Sequence, residues 1–141
     1  MLAKAMNESL AIPTATSFRT LAVDTLDAKR KALNTALKEH GMKVSFTHLV
    51  AWAMTRAATE WNVMTRTYEE RDGKPLAVQP EHVNLGIAVD VERKDGSRGL
   101  MVPCIKAAET LEFSSFHSYY EDLITKTREN KLTPDDFQGT N

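Results

Sequence analysis

The sequence predicts an α+β fold in which helices pack on one face of a mixed sheet. Three observations carry this. Stretches with helical apolar spacing occupy Leu26–Glu39, Phe46–Glu60 and Phe113–Glu129. Between the second and third lie β-prone runs punctuated by Asp72-Gly73 and Asp95-Gly96, pairs that tolerate the positive φ of a tight reversal. The resulting order is strand, helix, helix, hairpin, hairpin, helix, which groups like elements together instead of alternating them.

Ala3–Leu10 reads as a short helical arm stopped by Pro13, either lying on a neighbouring subunit or frayed. Thr14–Val23, rich in Thr and carrying Phe18, Leu21 and Val23, reads as a strand. In Leu26–Glu39 the stripe is Leu26, Leu33, Ala36 and Leu37, with Asp24 or Thr25 as cap and Gly41 past its end. Lys29, Arg30 and Lys31 fall outside that stripe, a pattern that suits a solvated face or a phosphate. Ser45 caps Phe46–Glu60, where Phe46, Leu49, Val50, Ala53, Ala57 and Trp61 keep helical spacing. Trp52, Met54 and Ala58 make further sides apolar, so this helix is expected to be central and buried on several sides. His48, one turn in and without a visible carboxylate partner, reads as a core or interface histidine.

Met64–Glu70 and Leu76–Gln79 form the first hairpin, and Val83–Val91 and Leu100–Ile105 the second. In the latter, Leu85, Ile87, Val89 and Val91 point one way, while Asn84, Gly86, Ala88 and Asp90 point the other. The small face, ending in a carboxylate, admits close approach by a helix or a ligand. Phe113, Phe116, Tyr120, Leu123, Ile124 and Thr127 trace the stripe of the longest helix. Thr133-Pro134-Asp135-Asp136 then starts a short helical turn, and Gly139 ends it.

At 141 residues the chain is one domain or part of one. A net charge of −1 offers no electrostatic case for nucleic acid. No apolar run approaches the ~20 residues that span a bilayer, and Met1–Ser9 has no signal-peptide core. The single cysteine, Cys104, suits a reducing cytoplasm and a buried position. His40, His48, His82 and His117 have no ligand-like spacing, so no metal site is expected.

Several segments carry a family resemblance: MNESLAIP (Met6–Pro13), KVSFTHLVAWA (Lys43–Ala53), NLGIAVD (Asn84–Asp90), GLMVPCIK (Gly99–Lys106) and NKLTPDDFQG (Asn130–Gly139). In combination they resemble the first half of the catalytic domain of dihydrolipoamide acyltransferases, the cores of 2-oxoacid dehydrogenase complexes. PTATS at Pro13 and the long ERKDGSR connection resemble the acyltransferase segment of fused bacterial 2-oxoglutarate dehydrogenase/decarboxylase polypeptides. The resemblance implies a chloramphenicol acetyltransferase-like two-layer sandwich, with residues 1–141 an incomplete N-terminal part. It implies transfer of an acyl group, succinyl by the fused likeness, from dihydrolipoamide to coenzyme A in the tricarboxylic acid cycle. A non-catalytic oligomeric core is the alternative.

In that family a histidine of a His-x-x-x-Asp-Gly motif deprotonates the thiol, and a Ser or Thr hydroxyl stabilises the oxyanion. Neither motif occurs here, so no catalytic residue is assigned in this chain. Three coenzyme-side positions carry over by resemblance: Arg30 in KRKALN, Ser45 in KVSF, and Asp90 ending GIAVD. The resemblance further implies a homotrimer or larger homo-oligomer. Its partners would be a lipoyl domain, a decarboxylase and a dihydrolipoamide dehydrogenase. Thiamine diphosphate and magnesium would follow only for the fused enzyme.

Overall fold

The computed structural model describes residues 2–92 and 95–141. Four helices run over Leu2–Ser9 (α1), Asp24–Leu37 (α2), Phe46–Glu60 (α3) and Phe113–Arg128 (α4). The strands are Thr67–Arg71 (β1), Lys74–Val78 (β2), Leu85–Gly86 (β3), Val89–Glu92 (β4), Arg98–Met101 (β5) and Cys104–Ile105 (β6). The α+β expectation holds. The described strands pair in antiparallel two-stranded pieces, β1 with β2, β3 with β6 and β4 with β5, where one mixed sheet was expected.

β1 and β2 join through Asp72 and Gly73 at φ 53° and 69°, the left-handed pair that a two-residue hairpin demands. The second hairpin has one register throughout. Leu85 faces Ile105 in its inner part and Val89 faces Met101 in its outer part. Pro103, which has no N–H to give, lies where the two parts meet. Only its carbonyl joins across, accepting the Ile87 N–H at 2.8 Å. In the ERKDGSR connection, Arg93 and Lys94 lie outside the described residues, and Ser97 N–H bonds the Asp95 carboxylate at 2.9 Å.

The hairpin's large face meets α4. Ile87, Val89, Ile105, Ala108, Phe116, Tyr120 and Leu123 form the core, so the predicted alternation in β3–β4 and the stripe of α4 are both realised. Burying a ring such as Phe116 stabilises by roughly 2–3 kcal/mol. Two hydroxyls enter the interior without stranding a donor. Thr127 bonds back to the Leu123 carbonyl at 2.6 Å and Thr55 to the Ala51 carbonyl at 3.0 Å. Cys104 is buried as expected.

Other expectations are corrected. Thr14–Val23 forms no strand: Phe18 and Leu21 are 86% and 80% exposed. β-propensity makes a strand only where a neighbour takes its backbone bonds. α2 starts without a side-chain cap; Val23 precedes it, and neither Asp24 nor Thr25 fills the role. Gly41 does end the following turn at φ 65°. The half-buried face of α2 is Leu26, Arg30, Asn34 and Leu37, with Leu33 exposed. Asn34 fixes this face by clasping both backbone groups of Val44, at 2.7 and 2.9 Å. α3 is rotated from the predicted stripe. His48, Ala51, Trp52 and Thr55 face inward, while Val50, Met54 and Trp61 are exposed.

Candidate functional site

The N-terminus of α3 is where the predicted site residues begin to gather. Ser45 is the N-cap of α3, as expected, within a reciprocal capping box whose third helical residue is His48. Ser45 Oγ accepts the His48 backbone N–H, and the Ser45 N–H is accepted by His48 Nδ1, both at 3.2 Å. Glu or Gln commonly plays the His48 part. Next to Ser45, Phe46 carries the Arg30 guanidinium 4.5 Å above its ring, a cation–π contact. α2 and α3 therefore bring Arg30 onto the ring of the residue that follows Ser45.

Arg30 is not a solvated cation. Its side chain is 18% exposed and bonds Asp27 at 2.7 Å. Lys31 shares the same carboxylate at 2.7 Å, and Lys31 and then Arg30 hold the Asp27 carboxyl below the usual range. Arg30 Nε is buried without a hydrogen-bond partner. A phosphate approaching Arg30 would compete with Asp27 for the guanidinium.

The Leu85–Ala88 stretch of the hairpin forms one wall of a cleft of about 410 Å³. Leu85, Gly86, Ile87 and Ala88, from both faces of the strand, line it opposite Phe46, Thr47, Val50, Ala51 and Met54 of α3, with Tyr120 of α4 beside them. Gly86 is small because the space is taken: a Cβ there would lie 2.8 Å from the Thr140 methyl and 3.1 Å from Val102. The chain's own C-terminal segment touches this face at Gly86, while Ala88 stays exposed. Asn84 ties that segment down, its side chain bonding the Gly139 carbonyl at 2.8 Å and its own carbonyl taking the Asn141 N–H at 3.2 Å.

Asp90 sits further along β4 on the same side as Ala88. Its side chain is 49% exposed and is engaged by Arg98 of β5, with Arg98 Nε at 3.2 Å. That bond holds the Asp90 carboxyl below its usual range. The structure thus links Arg30 with Ser45 through Phe46, and gives Asp90 an arginine partner on its own hairpin.

A second cleft, of about 800 Å³, is lined by Ser45 itself with His48, His117 and Glu121 among others. His48 is 3% exposed and its Nε2 lies 2.9 Å from the Glu121 carboxylate. It has the carboxylate partner that the sequence did not reveal. His117 packs edge-on against His48 at 4.5 Å between centroids and bonds the Lys43 carbonyl at 3.0 Å. Burial, then His117, push the His48 pKa down, against an upward pull from Glu121.

The donor atoms of His48, His117 and Glu121 lie within 4.8 Å of one another, a convergence that the spacing of the histidines alone did not suggest. The hydrogen bonds define its chemistry. His48 Nδ1 must keep its lone pair for the Ser45 amide, so Nε2 carries the proton given to Glu121. A metal on Nε2 would force the other tautomer and break the cap. Glu121 and His48 form a hydrogen-bonded relay leading to Ser45, with His117 packed edge-on against the His48 ring. Two sequence signals could have found it: Ser45-x-x-His48, with His in the place of the usual Glu or Gln of a capping box, and His117 four residues before Glu121 on one helical face.

Helices packed on a split antiparallel hairpin, with a cleft between a strand and a helix N-terminus, define an α+β core with a ligand-sized slot. The family model described as 2-oxoacid dehydrogenases acyltransferase (catalytic domain) matches residues 1–141, and the chain belongs to that family. It is 45% identical over 139 residues to the 2-oxoglutarate dehydrogenase E1/E2 component of Corynebacterium glutamicum, covering 98% of this chain and 11% of that protein. The multifunctional 2-oxoglutarate metabolism enzyme of Mycobacterium sp. strain JLS matches at the same identity, 45%, and the same coverage. The chain spans about a tenth of the length of these relatives.

Among solved structures, the dihydrolipoamide acetyltransferase of Azotobacter vinelandii superposes with a TM-score of 0.81 at 25% identity, covering 98% of this chain and 54% of that one. The cubic core of the pyruvate dehydrogenase multienzyme complex matches with a TM-score of 0.81 at 26% identity, covering 98% and 54%. The predicted acyltransferase-type fold is therefore the one observed.

Proposed function

We propose that residues 1–141 form the coenzyme-side part of a dihydrolipoamide acyltransferase domain, and that the protein moves a succinyl group from dihydrolipoamide to coenzyme A in a 2-oxoglutarate dehydrogenase complex. The observation that carries this is the apolar cleft between α3 and the Gly86–Ala88 stretch, one of whose lining residues, Phe46, holds the Arg30 guanidinium over its ring. A cation beside an apolar slot suits a ligand with phosphates at one end and an uncharged thiol arm at the other. The 45% identity to 2-oxoglutarate enzymes supports succinyl over other acyl groups.

In this reading Arg30 takes a phosphate, Ser45 donates a hydrogen bond, and Asp90 stands on the wall beyond Ala88. The thiol base and the oxyanion hydroxyl come from sequence outside residues 1–141, and the relatives' greater length supports that division. Thiamine diphosphate and magnesium would be cofactors only of a protein that carries a fused decarboxylase part. The lipoyl domain, decarboxylase and dihydrolipoamide dehydrogenase are the working partners, in the cytoplasm. Among the described residues no helix is long and apolar enough to cross a membrane. A homotrimer or larger assembly fits the exposed apolar side of α3 at Val50, Met54 and Trp61.

Calorimetric titration of the full-length protein with coenzyme A tests the reading. Arg30→Ala and Ser45→Ala should each weaken binding by about tenfold, as losing one ~1.4 kcal/mol contact does. Unchanged affinity in both variants refutes the site. Succinyl transfer measured alongside acetyl transfer decides the acyl group.

A further inference from the structure

We propose that His48, oriented by Glu121, is a positioning residue that aims the Ser45 hydroxyl at the coenzyme. This rests on the reading that Ser45 meets the coenzyme, and names what holds it there.

The capping box engages Ser45 through its Oγ lone pair and its backbone N–H. It leaves the O–H proton for an outside acceptor, so Ser45 can donate while it caps. The hold on the Ser45 amide requires a bare Nδ1 on His48. Glu121, on a different helix, selects that tautomer by taking the Nε2 proton at 2.9 Å. The ring cannot turn over freely: it is 3% exposed and wedged edge-on between His117 at 4.5 Å and Tyr120 at 4.4 Å. Four residues of α4 and the loop before α3 therefore control one serine: Glu121, Tyr120 and His117 around the ring, and Lys43 through its carbonyl on His117.

The groups facing His48 are few. Glu121, His117 and Tyr120 come from α4, and the Ser45 amide from the loop. Lys43 and Arg128 stand on the walls of the same cleft. Protonating His48 at Nδ1 replaces the acceptor with a donor, so two N–H groups face each other and the loop must shift. The Ser45 hydroxyl then loses its aim, and coenzyme affinity falls with acidification. Gln at this position rebuilds the cap, because its side-chain oxygen accepts the same amide, but it does not titrate.

The test is coenzyme A affinity of the full-length protein as a function of pH, read as the difference between wild type and variant so that titration of the ligand's own phosphates cancels. His48→Ala should weaken binding by about fivefold at neutral pH, and His48→Gln should restore most of it. The extra loss of wild-type affinity on the acid side should be absent from His48→Gln. Glu121→Ala should weaken binding severalfold, and Glu121→Gln, which keeps an acceptor oxygen, much less. Thermal melting at each pH separates loss of fold from loss of aim. If Ser45→Ala binds normally, the underlying site reading fails. If Ser45→Ala weakens binding while His48→Ala does not, or if His48→Gln keeps the acid loss, the positioning role fails and the site stands.

Discussion

His48 Nε2 of α3 lies 2.9 Å from the Glu121 carboxylate of α4, joining the helix that presents the site to the helix that packs on the hairpin. A buried neutral imidazole with a charged partner is a pH-sensitive join, and the direction can be worked out. Burial and His117 hold the folded-state pKa of His48 below the ordinary value, about 6.5 for a histidine in an unfolded chain. The unfolded chain then binds more protons, so this contribution is present above about pH 6.5 and is lost as pH falls.

His82 has the opposite sign. Its bond to Glu109, 2.7 Å long, raises its pKa. That contribution is complete below about pH 6.5 and is lost as pH rises through the folded value. Urea midpoints measured from about pH 5 to about pH 8 should show a smaller acid-side fall in His48→Gln than in wild type. His82→Gln should flatten the alkaline side instead. Identical profiles for both variants would contradict the assignment.

Phe116 is fully buried at the centre of the core, 5.3 Å from the Trp52 ring. Phe116→Ala should cost about 3–5 kcal/mol in equilibrium unfolding, from lost transfer and the cavity left behind. A loss under about 1 kcal/mol would mean that α4 does not pack on the hairpin as described.

Gly86→Ala places a methyl against Thr140 at 2.8 Å and Val102 at 3.1 Å. Both neighbours are side-chain ends, so the expected cost is modest, about 1–2 kcal/mol. Thr140→Ser removes the nearer methyl and should recover part of it. Additive effects in the double-mutant cycle would show that Thr140 does not cover Gly86.

The Asp90–Arg98 pair is exposed, at 49% and 71%, so it should add little stability. Arg98→Ala should leave the unfolding midpoint close to that of wild type. If Asp90 serves the ligand wall, Asp90→Asn should change coenzyme A affinity by more than this small stability effect accounts for. Equal affinity for wild type and Asp90→Asn would remove Asp90 from the site.

Much of the local architecture was legible in the residues. Helical apolar spacing marked α3 and α4, and the Asp72-Gly73 pair marked the first hairpin. Alternation along Leu85–Val91 separated its two faces, and Ser45 announced the cap of α3. Each of these is a short-range consequence of side-chain direction or backbone freedom. Thr14–Val23 was misread because a strand's stability lies in its neighbour. The inward face of α3 was misread because several of its sides are apolar, and only packing chooses among them. Arg30 was placed outside the stripe of α2, yet Phe46 and Asp27 draw it to half-buried positions.

By itself the sequence determined the order of elements from α2 to α4, the cap of α3, the Asp72-Gly73 turn, and membership of an acyltransferase family, since these depend on neighbours a few residues apart or on motif content. Only the tertiary structure decided that Glu121 finds His48, that Arg30 lies over Phe46, and that Thr140 covers Gly86. Such pairs are set by how helices rotate and dock, a choice made by the summed burial of many side chains and written in no local pattern.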